Sequence, residues 1–197
     1  AVAFPTEPAW LEQVHGIHVV AAETVCAPVA ADAAWTRQPG RPCVVMTADC
    51  LPVLFCDRAG TAVAAAHAGW RGLAGGVIAA TGASLGIPAR QLLVWLGPAI
   101  GPDAFEVGEE VRAEFLGLDA GHADCFRRSS TGRWLANLYQ LARRQLQALG
   151  VSEIYGGDCC TFSDPARFFS YRRETRTGRM ARSEERRGGK ECRSRWS

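Results

Sequence analysis

Residues 43–72, CVVMTADCLPVLFCDRAGTAVAAAHAGWRG, set the architecture. The apolar run at 43–46 is short and valine-rich and reads as a buried strand. Strand character resumes at 53–56, Asp57-Arg58-Ala59-Gly60 supplies a hairpin-like turn, and 61–66 forms a further strand ending at His67. Pro52 disfavours a helical conformation at Leu51, so 47–52 reads as an exposed turn between strands. Beyond His67 the period changes. Leu73, Val77, Ala80 or Thr81, and Leu85 recur at helical spacing, and Gly86 suits a left-handed end, which predicts a helix over 72–85.

Working outward, 92–96 is another strand, followed by the turn Gly97-Pro98-Ala99-Ile100-Gly101. Residues 108–116 read as a short helix whose early acids, Glu109 and Glu110, suit the positive end of its dipole. The strongest helical stripe is Leu135, Leu138, Ala142, Leu146 and Leu149, predicting a helix over 133–149 stopped by Gly150. A strand at 151–155 then delivers the loop Gly156-Gly157-Asp158-Cys159-Cys160-Thr161, and a last ordered element begins at 168–173. Upstream, 14–20 is a short apolar segment broken by His15, Gly16 and His18, and 21–35 is alanine-rich. Alternating strands and helices together with an antiparallel hairpin predict an α+β, layered mixed-sheet fold with flanking helices.

The 197 residues fit one domain better than two, and 48% hydrophobic with 21% charged residues is ordinary for a folded protein. No run approaches the 18 or more apolar residues that span a bilayer. The first ten residues carry neither a basic nor a continuous apolar region, so no signal peptide and no membrane association are expected. The net charge of +2 is unevenly placed: residues 182–197 hold six basic and three acidic side chains, a net of +3, which leaves −1 for 1–181. The chain's one lysine, Lys190, lies in that run. A nearly neutral body gives no footprint for nucleic acid. The expected organisation is a single catalytic domain over 1–181, with 182–197 a non-native or disordered tail in which Cys192 and Trp196 carry no function. The eight cysteines are irregularly spaced with no CxxC pair, so free thiols in a reducing compartment are expected.

Chemistry concentrates at strand ends, where a rigid scaffold presents reactive groups. His67 is flanked by small residues in Ala66-His67-Ala68-Gly69, Cys50 precedes Leu51-Pro52, and His15 sits in Gln13-Val14-His15-Gly16. A thiolate with two imidazoles suits zinc with an open fourth position. The spacings of 35 and 17 residues match no compact zinc motif and leave three readings open: a metal site, an ordinary buried thiol with hydrogen-bonded histidines, and a Cys50/His67 hydrolase. The same donors are compatible with copper, although a copper electron-transfer site asks for an axial ligand such as Met46 or Met180, and four histidines are few for a multinuclear oxidase. Arg71 is a candidate phosphate clamp, or else a surface arginine paired with an acid. Asp49 is a candidate for orienting a ligand or moving a proton, or else for stabilising its turn. The glycine loop at 97–101 could turn amides toward an anion, and Asp158, Cys160 and Thr161 form a candidate rim. Phe168-Phe169-Ser170-Tyr171-Arg172-Arg173 mixes aromatic and basic groups able to stack a base.

In order along the chain, Trp10-Leu11-Glu12-Gln13-Val14-His15-Gly16, Thr47-Ala48-Asp49-Cys50-Leu51-Pro52-Val53-Leu54, His67-Ala68-Gly69-Trp70-Arg71-Gly72, Gly97-Pro98-Ala99-Ile100-Gly101 with Phe105-Glu106-Val107-Gly108, and Thr177-Gly178-Arg179-Met180-Ala181 closely resemble the bacterial YfiH-like family. That family was formerly named polyphenol oxidase or multicopper laccase and later described as purine nucleoside phosphorylase. The resemblance implies zinc on His15, Cys50 and His67, and a fold related to the YfiH/toxin-like cysteine-hydrolase group. It implies a cytoplasmic enzyme whose partners are purine nucleosides and phosphate. The implied reactions are phosphorolysis of adenosine or inosine, with methylthioadenosine cleavage and adenosine deamination in related proteins. Cys50 and His67 then act as ligands; separately from the resemblance, the chemistry of a guanidinium makes Arg71 the expected phosphate contact, and Asp49 stays a candidate accessory group. Against the family pattern, a polar N-terminal segment is expected to be missing and the final strand replaced by the charged tail; Cys160 matches a family cysteine and Cys159 stands where a basic residue is common. A copper-linked phenol oxidase and a non-catalytic interaction protein are the alternatives.

Overall fold

A computed structural model describes residues 6–186. Its elements run β1 (Leu11–Glu12), β2 (Val19–Ala21), β3 (Val29–Ala30), β4 (Ala33–Thr36), β5 (Cys43–Thr47), β6 (Leu51–Asp57) and β7 (Val63–Ala68). Helices α1 (Trp70–Gly75) and α2 (Val77–Leu85) follow, then β8 (Leu92–Leu96), β9 (Glu106–Val107), α3 (Glu109–Leu118), β10 (Phe126–Arg128) and β11 (Trp134–Ala136). The chain finishes with α4 (Leu138–Ala148), β12 (Glu153–Gly156) and β13 (Met180–Glu184).

The hairpin read from residues 51–68 is the centre of a six-stranded sheet of order β12-β8-β6-β7-β4-β2. Its inner pairs are antiparallel, while β12 on β8 and β2 on β4 are parallel, so the sheet is mixed as expected. Every residue of β6 and β7 is buried because both faces are covered. Strand alternation sends Val53, Phe55, Ala64 and Ala66 to one face, against Leu73, Ile78 and Leu141 of the helices. It sends Leu54 and Ala65 to the other, against Cys43 and Val45 of β5. The alanines of β7 are what allow α2 and β5 to approach the same strand from opposite sides.

Three boundaries differ from expectation for local reasons. The helix expected at 72–85 is two helices, because Gly76 is left-handed (φ 97°), ending α1 and starting α2 at a new angle. The helix expected at 133–149 begins only at Leu138. Trp134–Ala136 pairs with β10 and β9, and the Asn137 side chain accepts from the Gln140 amide as an N-cap. The segment 47–52 is not an exposed turn: Thr47 ends β5, Ala48 and Asp49 are buried, Cys50 is half-buried, and Leu51 and Pro52 already belong to buried β6, where the extended conformation that proline imposes on Leu51 continues into the strand.

The boundary at 181/182 falls inside β13, which pairs antiparallel with β5 from Met180 opposite Thr47 to Glu184 opposite Cys43. Ladder hydrogen bonds are made by the backbone, so the lack of an alternating pattern there did not prevent pairing. Glu184 is buried. Lys190, Cys192 and Trp196 of the expected tail lie outside the described residues. No helix among the described residues is long and apolar enough to cross a membrane.

Candidate metal centre

The hairpin brings two of the three candidate ligands together. His67 is the penultimate residue of β7, opposite Pro52, and Cys50 immediately precedes β6, so they meet at one end of the sheet. His15 arrives on a separate turn, in the left-handed conformation (φ 61°) that a residue with a β-carbon seldom takes. One side chain explains it. The buried carboxylate of Asp32 accepts from the amides of Val14 (3.2 Å), His15 (2.9 Å) and Gly16 (2.6 Å), curling this turn around itself.

The same carboxylate accepts from His67 Nδ1 at 2.8 Å, which leaves Nε2 facing the other ligands. Cys50 Sγ lies 3.7 Å from His15 Nε2, and the rings of His15 and His67 meet edge to face with centroids 4.7 Å apart. The candidate ligand atoms of the three residues all lie within 4.8 Å of one another. Gly69 is required beside them: a β-carbon there would fall 2.7 Å from His15 Cδ2 and 3.1 Å from Cys50 Sγ.

Burial pushes the Cys50 thiol up, but His15 and His67 outweigh it and hold it at about 7. Burial likewise pulls His67 down, and hydrogen bonds to Asp32 and the Cys50 sulfur overcome this and raise it to about 9. Desolvation opposes ionisation of Asp32, yet its bonds to His67 and Gly16 keep the carboxyl below the usual range. A thiol that ionises near neutral pH and an imidazole aimed by a carboxylate suit a cation, which takes the place of the His67 proton on binding, and one sulfur with two nitrogens fits a borderline-soft divalent ion. The residues can therefore coordinate a metal ion.

Asp49 sits beside Cys50 but turns away from the cluster. In a left-handed conformation (φ 87°), its carboxylate accepts from Thr161 Oγ1 (2.6 Å), Ser170 Oγ (3.0 Å) and the Arg172 amide (2.7 Å). Its position is that of a clasp which fixes the Cys50 turn to the late loops. Arg71 is exposed and stacks on Trp70, its guanidinium carbon 4.5 Å from the ring centroid. It does not line the open cavity of about 540 Å³ above the cluster, whose wall includes His15, Cys50, His67, Thr47, Tyr171 and Arg179.

The amides of 97–101 do not face an anion, because Gly97, Ala99, Ile100 and Gly101 donate to Pro52 O, Tyr139 Oη, Asp49 O and Cys160 Sγ. Asp158 and Cys160 border a different cavity, and Thr161 is buried against Asp49, so these three form no rim to the cluster. Arg173 is spent on the carbonyls of Thr161, Phe162 and Phe168. Sequence reading missed Asp32 altogether. A lone acid after an alanine-rich run carries no local signal of a partner 35 residues away.

A mixed sheet ending in a two-histidine, one-cysteine cluster defines an α+β protein with a cluster able to hold a metal ion. The chain belongs to the YfiH-like family, whose model, described as multi-copper polyphenol oxidoreductase laccase, matches residues 1–183. It is 59% identical over 175 residues to a purine nucleoside phosphorylase of Pseudomonas aeruginosa, covering 88% of this chain and 72% of that one. It is 53% identical over 180 residues to the purine nucleoside phosphorylase YfiH of Escherichia coli, covering 90% and 73%. Among solved structures, a Neisseria meningitidis protein superposes with a TM-score of 0.86 at 51% identity, covering 88% of this chain and 72% of the other. YlmD from Geobacillus stearothermophilus superposes at 0.80 with 30% identity, covering 91% and 73%.

Proposed function

We propose that the protein is a zinc-dependent purine nucleoside phosphorylase that cleaves adenosine or inosine, with methylthioadenosine cleavage and adenosine deamination as further activities of the same site. What carries this reading is the pairing of the His15, Cys50 and His67 cluster with relatives named as purine nucleoside phosphorylases at 59% and 53% identity over most of both chains. His15, Cys50 and His67 hold the ion, and zinc at such a site supplies Lewis acidity at an open fourth position. Asp32 aims the His67 imidazole and fixes the backbone of the His15 turn, and Asp49 keeps the Cys50 turn in place. In phosphorolysis a phosphate oxygen bonds to C1′ of the ribose and the bond from C1′ to the base breaks with its electron pair on the purine. The proton of hydrogen phosphate ends on the released base. Tyr171, on the cavity wall and about half exposed, offers a flat face for that base. No disulfide joins the cysteines among the described residues, which suits the reducing cytoplasm.

The experiment is a product-resolved assay of purified protein with adenosine, inosine and methylthioadenosine, with and without phosphate, alongside metal analysis. Phosphate-dependent release of base by protein carrying about one zinc per chain is expected. Oxygen uptake with a phenol, retained on zinc removal and lost on copper removal, would instead favour the oxidase that the family description names. Biological activity that survives replacement of all three ligands would favour an interaction role.

A further inference from the structure

Among the described residues, the cavity over the cluster is lined by one side chain with a permanent charge, Arg179, and by no carboxylate. The two nearby acids are committed elsewhere: Asp32 to the His15 turn and His67, Asp49 to Thr161, Ser170 and Arg172. Arg179 is placed there by strand register. Met180 pairs with Thr47, so the preceding residue lies where β5 ends and the Cys50 turn begins. Its recorded hydrogen bonds use Nη1 alone, toward the carbonyls of Thr177 and Gly178, and its guanidinium carbon is 5.9 Å from the Tyr171 ring centroid. The remaining guanidinium donors have no hydrogen-bond partner among the described residues.

A second polar group in the same wall is also unmatched. Thr47 is 1% exposed and its hydroxyl has no hydrogen-bond partner, although a buried hydroxyl normally has one. Gln13, the other polar wall residue near it, is used up by both backbone groups of Met46. An uncommitted guanidinium and an orphan hydroxyl beside a cation-binding cluster, with no acid among them, form a wall that selects an oxyanion.

We propose that Arg179, with Thr47 beneath it, is the subsite for the inorganic phosphate co-substrate, in place of Arg71. This deepens the phosphorylase reading and rests on it. Arg179 binds and orients the phosphate, so its loss acts on phosphate affinity and leaves the nucleoside and metal contacts intact.

The test measures inosine phosphorolysis at varied phosphate for the wild type, Arg179→Ala, Arg179→Lys and Arg71→Ala, with zinc content recorded for each. Arg179→Ala is expected to raise the phosphate KM at least about tenfold, the scale of losing a charge-assisted hydrogen bond. Arg179→Lys should give a smaller rise, while the inosine KM stays within about twofold and zinc is retained. A phosphate KM unaltered in Arg179→Ala, or raised by Arg71→Ala instead, overturns the assignment. If the wild type releases no base, the phosphorylase reading fails, and direct titration of zinc-loaded protein with inorganic phosphate still decides the subsite. Binding weakened about tenfold in Arg179→Ala supports it; no binding to the wild type, or equal binding to both, overturns it.

Discussion

Asp32 accepts from three consecutive regions of one turn and from an imidazole, so replacing it with asparagine at nearly equal volume removes charge from both histidine supports at once. Asp32→Asn is expected to weaken zinc binding about 10- to 100-fold while the fold persists, read by competition with a fluorescent chelator; unchanged affinity would refute the role. The metal-free site has its own pH signature. Cys50 falls from 9.0 to about 7 on folding, so its contribution to stability is complete above pH 9 and lost as pH falls through 7. His67 rises from 6.5 to about 9, so its contribution is complete below pH 6.5 and lost as pH rises through 9. Between pH 7 and 9 the two trends oppose each other, so chelated protein should show a nearly level Tm across that window, with Cys50→Ser exposing a Tm that falls as pH rises and His67→Gln one that rises; a steep slope in the unsubstituted protein would refute the pairing. At this scale the ligands were legible because motif order carried them, whereas spacing alone did not. Asp32 and Arg179 were not assigned because each acts through a partner brought near by sheet register.

The elements show which local signals survive packing. The hairpin, β8 and α3 follow from apolar runs and turn residues that the tertiary structure has no reason to override. The split between α1 and α2 was written in the Gly75-Gly76 pair, where the helical stripe of apolar residues spoke for continuity and the backbone freedom of glycine decided otherwise. A β-carbon at Gly76 meets nothing within 4 Å, so its replacement isolates the cost of the conformation from any clash. Gly76→Ala is expected to destabilise the protein by about 1 kcal/mol or more, measured by urea unfolding; an unchanged or raised midpoint would show that the break is not imposed by the left-handed residue. The start of α4 was also legible in part, since Asn137 followed three residues later by Gln140 is a start signal that the leucine stripe obscured.

For the whole molecule, the three ligands would tie together the His15 turn, the start of β6 and the end of β7, adding to the link that Asp32 makes between the first and the last of these. A bound ion favours the folded state by mass action, by about 4 kcal/mol when free zinc exceeds its Kd a thousandfold. Removing it with a chelator should lower Tm by about 8 to 16 °C for a chain of this size, restored by zinc; a Tm indifferent to chelation would argue against a resident ion. The layered mixed sheet was legible from alternation of elements, but the pairing of β13 with β5 was not, because a backbone ladder leaves little trace in side-chain pattern.

The clasp at Asp49 has a consequence for how the protein comes into being. Its three donors lie 112, 121 and 123 residues further along the chain, so all three metal ligands leave the ribosome well before the groups that fix the Cys50 turn. A nascent chain halted before Thr161 would carry His15, Cys50 and His67 and still lack the groups that fix the Cys50 turn. Ordering of the cluster is thereby tied to synthesis of the late loops, and an unfinished chain would be a poor competitor for a metal ion.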